Sequence, residues 1–191
     1  MARKKAFNPD KAVELSMNLF WLKGYTSTSV SELCEAMHIK PGSLYDTFGS
    51  KRALFLKALE HYKQQSGPVD VDEASHTVLD IVAAIFEDIV DEVVNDEQHR
   101  GCFMLNTITE LAATDTEIAE LGRRHFQMME DVFHTLLVRA QRDGEITGVQ
   151  SPRALAKTLT NTVFGLRVVS KINPTRQHLE DIVSGTMSAL K

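Results

Sequence analysis

Long apolar runs are missing from this chain of 191 residues. None reaches the about 18 consecutive apolar residues that a membrane-spanning helix requires, so no membrane segment is expected. Cysteine is nearly absent: Cys34 and Cys102 fall in different segments without metal-ligand spacing, which leaves a disulfide framework or a zinc site without support. Cys102 also has no resolving cysteine nearby in sequence, so a redox-sensing thiol lacks support as well. Strand patterning is missing too, since apolar and polar residues nowhere alternate with period two over a sustained stretch. The signatures of catalysis are equally sparse. There is no His-Glu-x-x-His, no phosphate-cradling glycine loop and no nucleophile elbow, and a di-iron bundle would need more than the lone Asp131-x-x-His134. No enzyme activity, cofactor or metal is expected. The opening residues Met1-Ala2-Arg3-Lys4-Lys5 lead into an amphipathic segment rather than an apolar signal core, so the expected location is cytoplasmic.

What is present is charge, unevenly spread. The net charge is −5, yet residues 1–63 carry ten Lys/Arg against six Asp/Glu, or +4, and residues 64–191 carry eleven against twenty, or −9. A basic module precedes an acidic one, and a basic patch neutralises phosphates through its local potential rather than through total charge.

Helical periodicity dominates the rest, and the fold class is all-α, with about nine helices. A first helix starts at Asn8-Pro9, an N-cap followed by proline, carries Ala12, Leu15, Leu19, Phe20 and Leu22, and stops at Gly24. Ser29-Val30-Ser31-Glu32 fits a capping box for a short second helix, Pro41 opens a third, and Gly49-Ser50-Lys51 opens a fourth that ends at Gly67-Pro68. Beyond that break Val78, Ile81, Val82, Ile85, Ile89 and Val93 form one stripe. A shorter helix covers Phe103 to Ala113. Thr114-Asp115-Thr116-Glu117 then caps a long helix with stripe Ile118, Leu121, His125, Met128, Val132, Leu136 and Ala140, ending at Asp143-Gly144. The last two helices start at Ser151-Pro152 and Asn173-Pro174.

Three compact helices with a tight turn between the second and third are what a helix-turn-helix needs, and residues 8–48 supply that order. Within it, Gly24-Tyr25-Thr26-Ser27-Thr28-Ser29-Val30-Ser31-Glu32-Leu33, followed by Ile39-Lys40-Pro41-Gly42-Ser43-Leu44-Tyr45-Asp46-Thr47-Phe48-Gly49-Ser50-Lys51, closely resembles the DNA-binding signature of the tetracycline-repressor (TetR) family. The resemblance covers about residues 8–60. It implies a homodimeric, ligand-responsive transcriptional regulator, usually a repressor, that binds palindromic double-stranded operator DNA and is released by a small-molecule effector. It further implies that Thr28 and Ser29 meet a phosphate, that Lys40, Pro41, Gly42, Ser43, Tyr45 and Asp46 belong to the recognition helix and its entry, and that Lys51 contacts the backbone. Lys40 and the Asp46-Thr47 pair depart from the commonest family pattern, and Asp46 repels a phosphate unless it accepts from a cytosine amino group or caps Lys40. The basic stretch Arg3-Lys4-Lys5 reads more simply as a disordered terminus than as a minor-groove arm.

The expected domains are residues 1–50 for DNA binding, 51–67 as a connecting helix and 68–191 for ligand binding and dimerisation. One short recognition helix supplies little specific affinity, so a dimer surface is required. Val163, Leu166, Val169, Ile182, Val183 and Met187 on the last two helices are its candidates, the alternative being that they complete the domain core. Phe103, Met104, Thr107, Glu110, Phe126, Met129, Phe133, Asn161 and Phe164 are the candidate lining of an effector pocket, with plain core packing as the alternative.

Overall fold

The computed structural model describes residues 7–65, 77–146 and 150–190. Among them are nine helices and no strand: α1 (Pro9–Lys23), α2 (Val30–Ala36), α3 (Pro41–Phe48), α4 (Lys51–Gln65), α5 (Val78–Asn95), α6 (Phe103–Leu111), α7 (Thr116–Arg142), α8 (Pro152–Val169) and α9 (Arg176–Ser188). The all-α class expected from periodicity holds. The basic stretch Arg3-Lys4-Lys5 and the Gly67-Pro68 break lie outside the described residues.

Local chemistry sets most of the boundaries. The Asn8 side chain accepts from the Asp10 and Lys11 amides, and Pro9 occupies the first position of α1, where no amide partner is needed. Gly24 ends α1 at φ +83°, a conformation that costs glycine little. Ser29 and Glu32 form the reciprocal capping box of α2, and Thr77 and Asp80 form another at α5 that the sequence reading passed over.

Two packing centres share α4. Phe20 of α1 meets Phe55 of α4 edge-on at 5.0 Å, with Leu33 and Leu44 buried around them. The same Phe55 ring, and Tyr62 farther along α4, each meet Phe103 of α6 with ring centroids 5.8 Å apart. The N-terminal helices are thus bolted to the larger bundle by aromatic contacts, each ring burial contributing about 1.5–3 kcal/mol. In the bundle, Phe86 of α5 stacks on Phe133 of α7 at 6.1 Å, and Glu145 closes the start of α5 by accepting from the Val78 and Leu79 amides at 3.0 and 3.1 Å.

Four details differ from the periodicity reading. The buried face of α7 is Ile118, Gly122, Phe133, Leu137 and Ala140, while Met128 and Val132 are exposed. Met128-Met129, Val132-Phe133 and Leu136-Leu137 offer two apolar stripes one residue apart, and the fully buried Phe133 ring selects the second. Gly122 assists, because a Cβ there would come within 3.0 Å of the Ile108 side chain. The α7 cap is Asp115, which accepts from the Glu117 and Ile118 amides, and the Glu117 carboxylate is taken by Arg52 instead of closing a box with Thr114. Helix α9 starts at Arg176 rather than beside Pro174, since the Asn173 oxygen accepts from the Thr175 hydroxyl at 2.9 Å. Leu22 is exposed rather than part of the inner stripe of α1.

Candidate nucleic-acid interface

Helices α1 and α4 form the platform that presents α2 and α3. The turn joining α1 to α2 is held from within. The Thr28 hydroxyl donates to the Gly24 carbonyl at 2.6 Å, and Thr28 is 1% exposed. A phosphate contact through that hydroxyl is therefore corrected: Thr28 is spent on the turn, and Ser29, which is exposed, is the cap. Ser29 donates its amide to Glu32 at 2.8 Å, and Glu32 also pairs with Lys23 of α1. The Lys23 bond first, and the Ser29 bonds next, hold the Glu32 carboxyl down at about 2.

After α2 the chain reverses through His38, at φ +54°, and the Ile39 amide bonds back to Cys34 at 2.9 Å. Helix α3 then buries Leu44 and Phe48 against the platform and exposes Lys40, Pro41, Gly42, Tyr45 and Asp46, with Ser43 half-buried. A four-residue spacing puts Leu44 and Phe48 on one face, so the opposite face of a short, proline-started helix is offered to solvent. Nothing lies within 4 Å of where a Gly42 side chain would stand, so another backbone or a base edge can approach there closely. Ser50 caps α4 by accepting from the Ala53 amide at 3.0 Å. Lys51, half-buried, holds its ammonium 4.3 Å from the centre of the Tyr25 ring. Burial pushes the Lys51 ammonium down from its ordinary value, while Glu110 and Glu32 oppose that shift.

The two cores are also tied by polar contacts that sequence reasoning missed. Glu110 of α6 turns away from the bundle and accepts from the Tyr25 and Thr26 amides at 2.9 and 2.7 Å. Arg52 of α4 bonds Asp115 and Glu117 at the start of α7. Trp21 donates to the Gly101 carbonyl at 3.1 Å, and the Arg100 guanidinium sits 4.0 Å over the same indole. Partners 63 to 85 positions apart leave no local signal by which a sequence reading finds them.

Comparison with known proteins now bears on this geometry. Residues 13–58 match the family model of bacterial regulatory proteins of the tetR family, and residues 78–185 match the tetracyclin repressor-like C-terminal domain. The chain belongs to the TetR family of transcriptional regulators. Among relatives of this TetR-family chain, the uncharacterized HTH-type transcriptional regulator YezE of Bacillus subtilis is 30% identical over all of both chains. The HTH-type transcriptional repressor ComR of Escherichia coli is 28% identical, over 97% of this chain and 90% of its own. A cysteine mutant of the TetR family regulator CifR, solved with 26-base-pair operator DNA, superposes with a TM-score of 0.84 at 31% identity, over 99% of this chain and 100% of that one.

The remaining expected sites of this TetR-family protein divide. Phe103, Met104, Thr107, Phe133 and Phe164 are buried, and Phe126 and Met129 half-buried, in the bundle formed by α6, α7 and α8. Glu110 and Asn161 are exposed and leave that group: Glu110 serves the turn at Tyr25, and Asn161 faces out from α8. A cavity of about 200 Å³ opens between α4, α6 and α7, against Leu56, Leu59, Met104 and Leu121. Val163 and Leu166 are completely buried in the protomer's own core, which leaves no surface for a partner. Val169, Ile182, Val183 and Met187 are half-buried, and Val168 and Ile172 beside them are exposed. Among the described residues no helix is long and apolar enough to cross a membrane.

Proposed function

We propose that this protein is a homodimeric, effector-released repressor that reads palindromic operator DNA through the exposed face of α3. The observation that carries it is the α3 face itself: Lys40, Pro41, Gly42, Tyr45 and Asp46 point outward on a helix anchored by Leu44 and Phe48. Lys51 and the Ser29 end of α2 flank that face as backbone contacts, the positive end of a helix favouring a phosphate. Two copies joined through Val169, Ile182, Val183 and Met187 would set two such faces one or more helical turns apart on the duplex. Release is carried by α6, because Glu110, Trp21 and Arg100 connect its two ends to α1 and the turn before α2. A ligand that shifts α6 in the bundle therefore displaces the reading head.

Selection of random duplexes on the purified protein, followed by binding at two salt concentrations, tests this reading. Enrichment of a palindrome whose affinity falls steeply with salt is the expected result. The exposed Asp46 carboxylate favours a second reading, a helical adaptor that no longer binds DNA. Absence of any enriched duplex, with partner contacts insensitive to salt, would support that one instead.

A further inference from the structure

Among the described residues, the core of the bundle holds three polar atoms with nothing to bond. Thr107 Oγ1, His125 Nδ1 and Thr160 Oγ1 are buried without a hydrogen-bond partner, and both threonines are 1% exposed. Buried polar groups are nearly always satisfied, so three orphans in one bundle call for an explanation. Each shares a helix with a residue at the cavity or with a ring packed beside His125. Thr107 comes three positions after Met104 on α6, and His125 four positions after Leu121 on α7; Met104 and Leu121 line the 200 Å³ cavity. Thr160 comes four positions before Phe164 on α8, whose ring lies 5.9 Å from His125 and 4.1 Å from Phe126. Positions three and four apart share a helix face, so Thr107 and His125 stand on the faces of α6 and α7 that carry Met104 and Leu121, and Thr160 on the face of α8 that carries Phe164.

The charges at its rim are already matched. Lys63 bonds Glu60 at 3.0 Å, and Glu117 bonds Arg52 at 2.6 Å. Arg167, whose charge reaches His125, is gripped by both oxygens of Glu92 at 2.8 and 2.7 Å. An ionised ligand would be desolvated here with no opposite charge to meet it. Burial first, and the Arg167 and Lys63 charges next, push the His125 imidazole down, so its ring is neutral and offers a hydrogen bond rather than a charge. Ligand clefts usually span about 300–1,000 Å³, and this one is smaller.

We infer that the effector is a small uncharged molecule with an apolar or aromatic body and at least one hydroxyl or carbonyl oxygen, bonded by Thr107, His125 and Thr160. This rests on the effector-released reading above and adds the chemical class. Four probes of one size test it on the full chain by calorimetric or NMR titration: benzyl alcohol, toluene, benzoate and benzylamine. Benzyl alcohol is expected to bind at least about threefold tighter than toluene, the worth of one net hydrogen bond, and both charged probes more weakly than benzyl alcohol. Thr107→Val and Thr160→Val are each expected to erase part of the alcohol's advantage, leave toluene unchanged and raise the thermal midpoint of the free protein. Thr107→Ser, which keeps the hydroxyl, should keep the advantage. A charged probe that binds as well as the alcohol, no advantage over toluene, no binding of any probe, or valine variants that melt lower would each overturn the inference. Operator binding of the same samples without probe separates the two failures: if it persists, only the ligand class falls; if it is absent, the regulator reading falls too.

Discussion

Removing the Glu110 carboxylate is the sharpest test of how the bundle holds the reading head. Its two oxygens accept from the Tyr25 and Thr26 amides at 2.9 and 2.7 Å across 85 and 84 positions of chain. Hydrogen bonds to a charged group contribute about 1.5–3 kcal/mol each. Glu110 is open to solvent on one side, which discounts each bond to the bottom of that range or just below it, so Glu110→Ala should cost about 2–3 kcal/mol. For a chain of this length that lowers the thermal midpoint by roughly 4–12 °C. Glu110→Gln, which keeps an acceptor and loses the charge, should cost about half as much. Because the orphaned amides open the turn that leads into α2, operator affinity should drop several-fold in both variants. Acid provides an internal control. Burial raises the Glu110 carboxyl, but the bonds from Thr26 and Tyr25 and the nearby Lys51 charge outweigh it, and the net shift is below the ordinary 4.5. A depressed carboxyl stabilises fully above that ordinary value and loses its contribution as the pH falls through the folded one. The gap between wild type and Glu110→Ala should therefore be complete at pH 7 and narrow to about half below about pH 4.5, where the neutral carboxyl keeps one acceptor. Equal melting and equal operator affinity at pH 7, or a gap that stays undiminished in acid, would refute the tie.

Lys51→Ala is expected to weaken binding to every duplex and reduce the salt slope by about one, whereas Tyr45→Ala should cost about 1–3 kcal/mol at the selected operator alone, both read by titration across salt. Gly101→Ala should destabilise by more than about 2 kcal/mol in denaturant unfolding, since φ is +68° and the new Cβ would fall 2.6 Å from the Arg167 carbonyl. His125 is depressed below the ordinary imidazole value of 6.5, so the unfolded chain takes up the proton first. The wild type should lose stability as the pH drops below 6.5, and thermal melts of His125→Leu should show a smaller loss.

The reading head was legible in the chain because its signals are short-range. Asn8-Pro9, Ser29 with Glu32, Gly24 and Ser50 each act on a backbone group within four positions, and Leu44 and Phe48 declare the buried face of α3 by spacing alone. Where two local solutions were equally good, reading failed. The doubled apolar pairs of α7 permit either stripe, and only packing of Phe133 against Phe86 decides between them. Thr28 suits a phosphate contact by resemblance, but the turn brings the Gly24 carbonyl to its hydroxyl.

The bundle was legible as helices but not as sites. Which apolar faces close on one another depends on partners in other helices, such as Phe86 with Phe133 and Phe126 with Phe164, and a stripe of Leu, Val and Met carries no mark of its partner. Val163 and Leu166 were thus indistinguishable in sequence from Val169 and Met187, yet the first two are core and the others remain half open. Glu110 and Asn161 suit a pocket by composition, and the fold sends one to the reading head and the other to solvent. The sequence by itself determined the helices, their caps and the chemistry of the α3 face, because 3.6-residue periodicity and end-capping are properties of neighbouring residues. The tertiary structure alone decided which polar atoms were stranded in the core and how α6 grips the turn before α2, because burial and cross-chain hydrogen bonds exist only once distant helices meet.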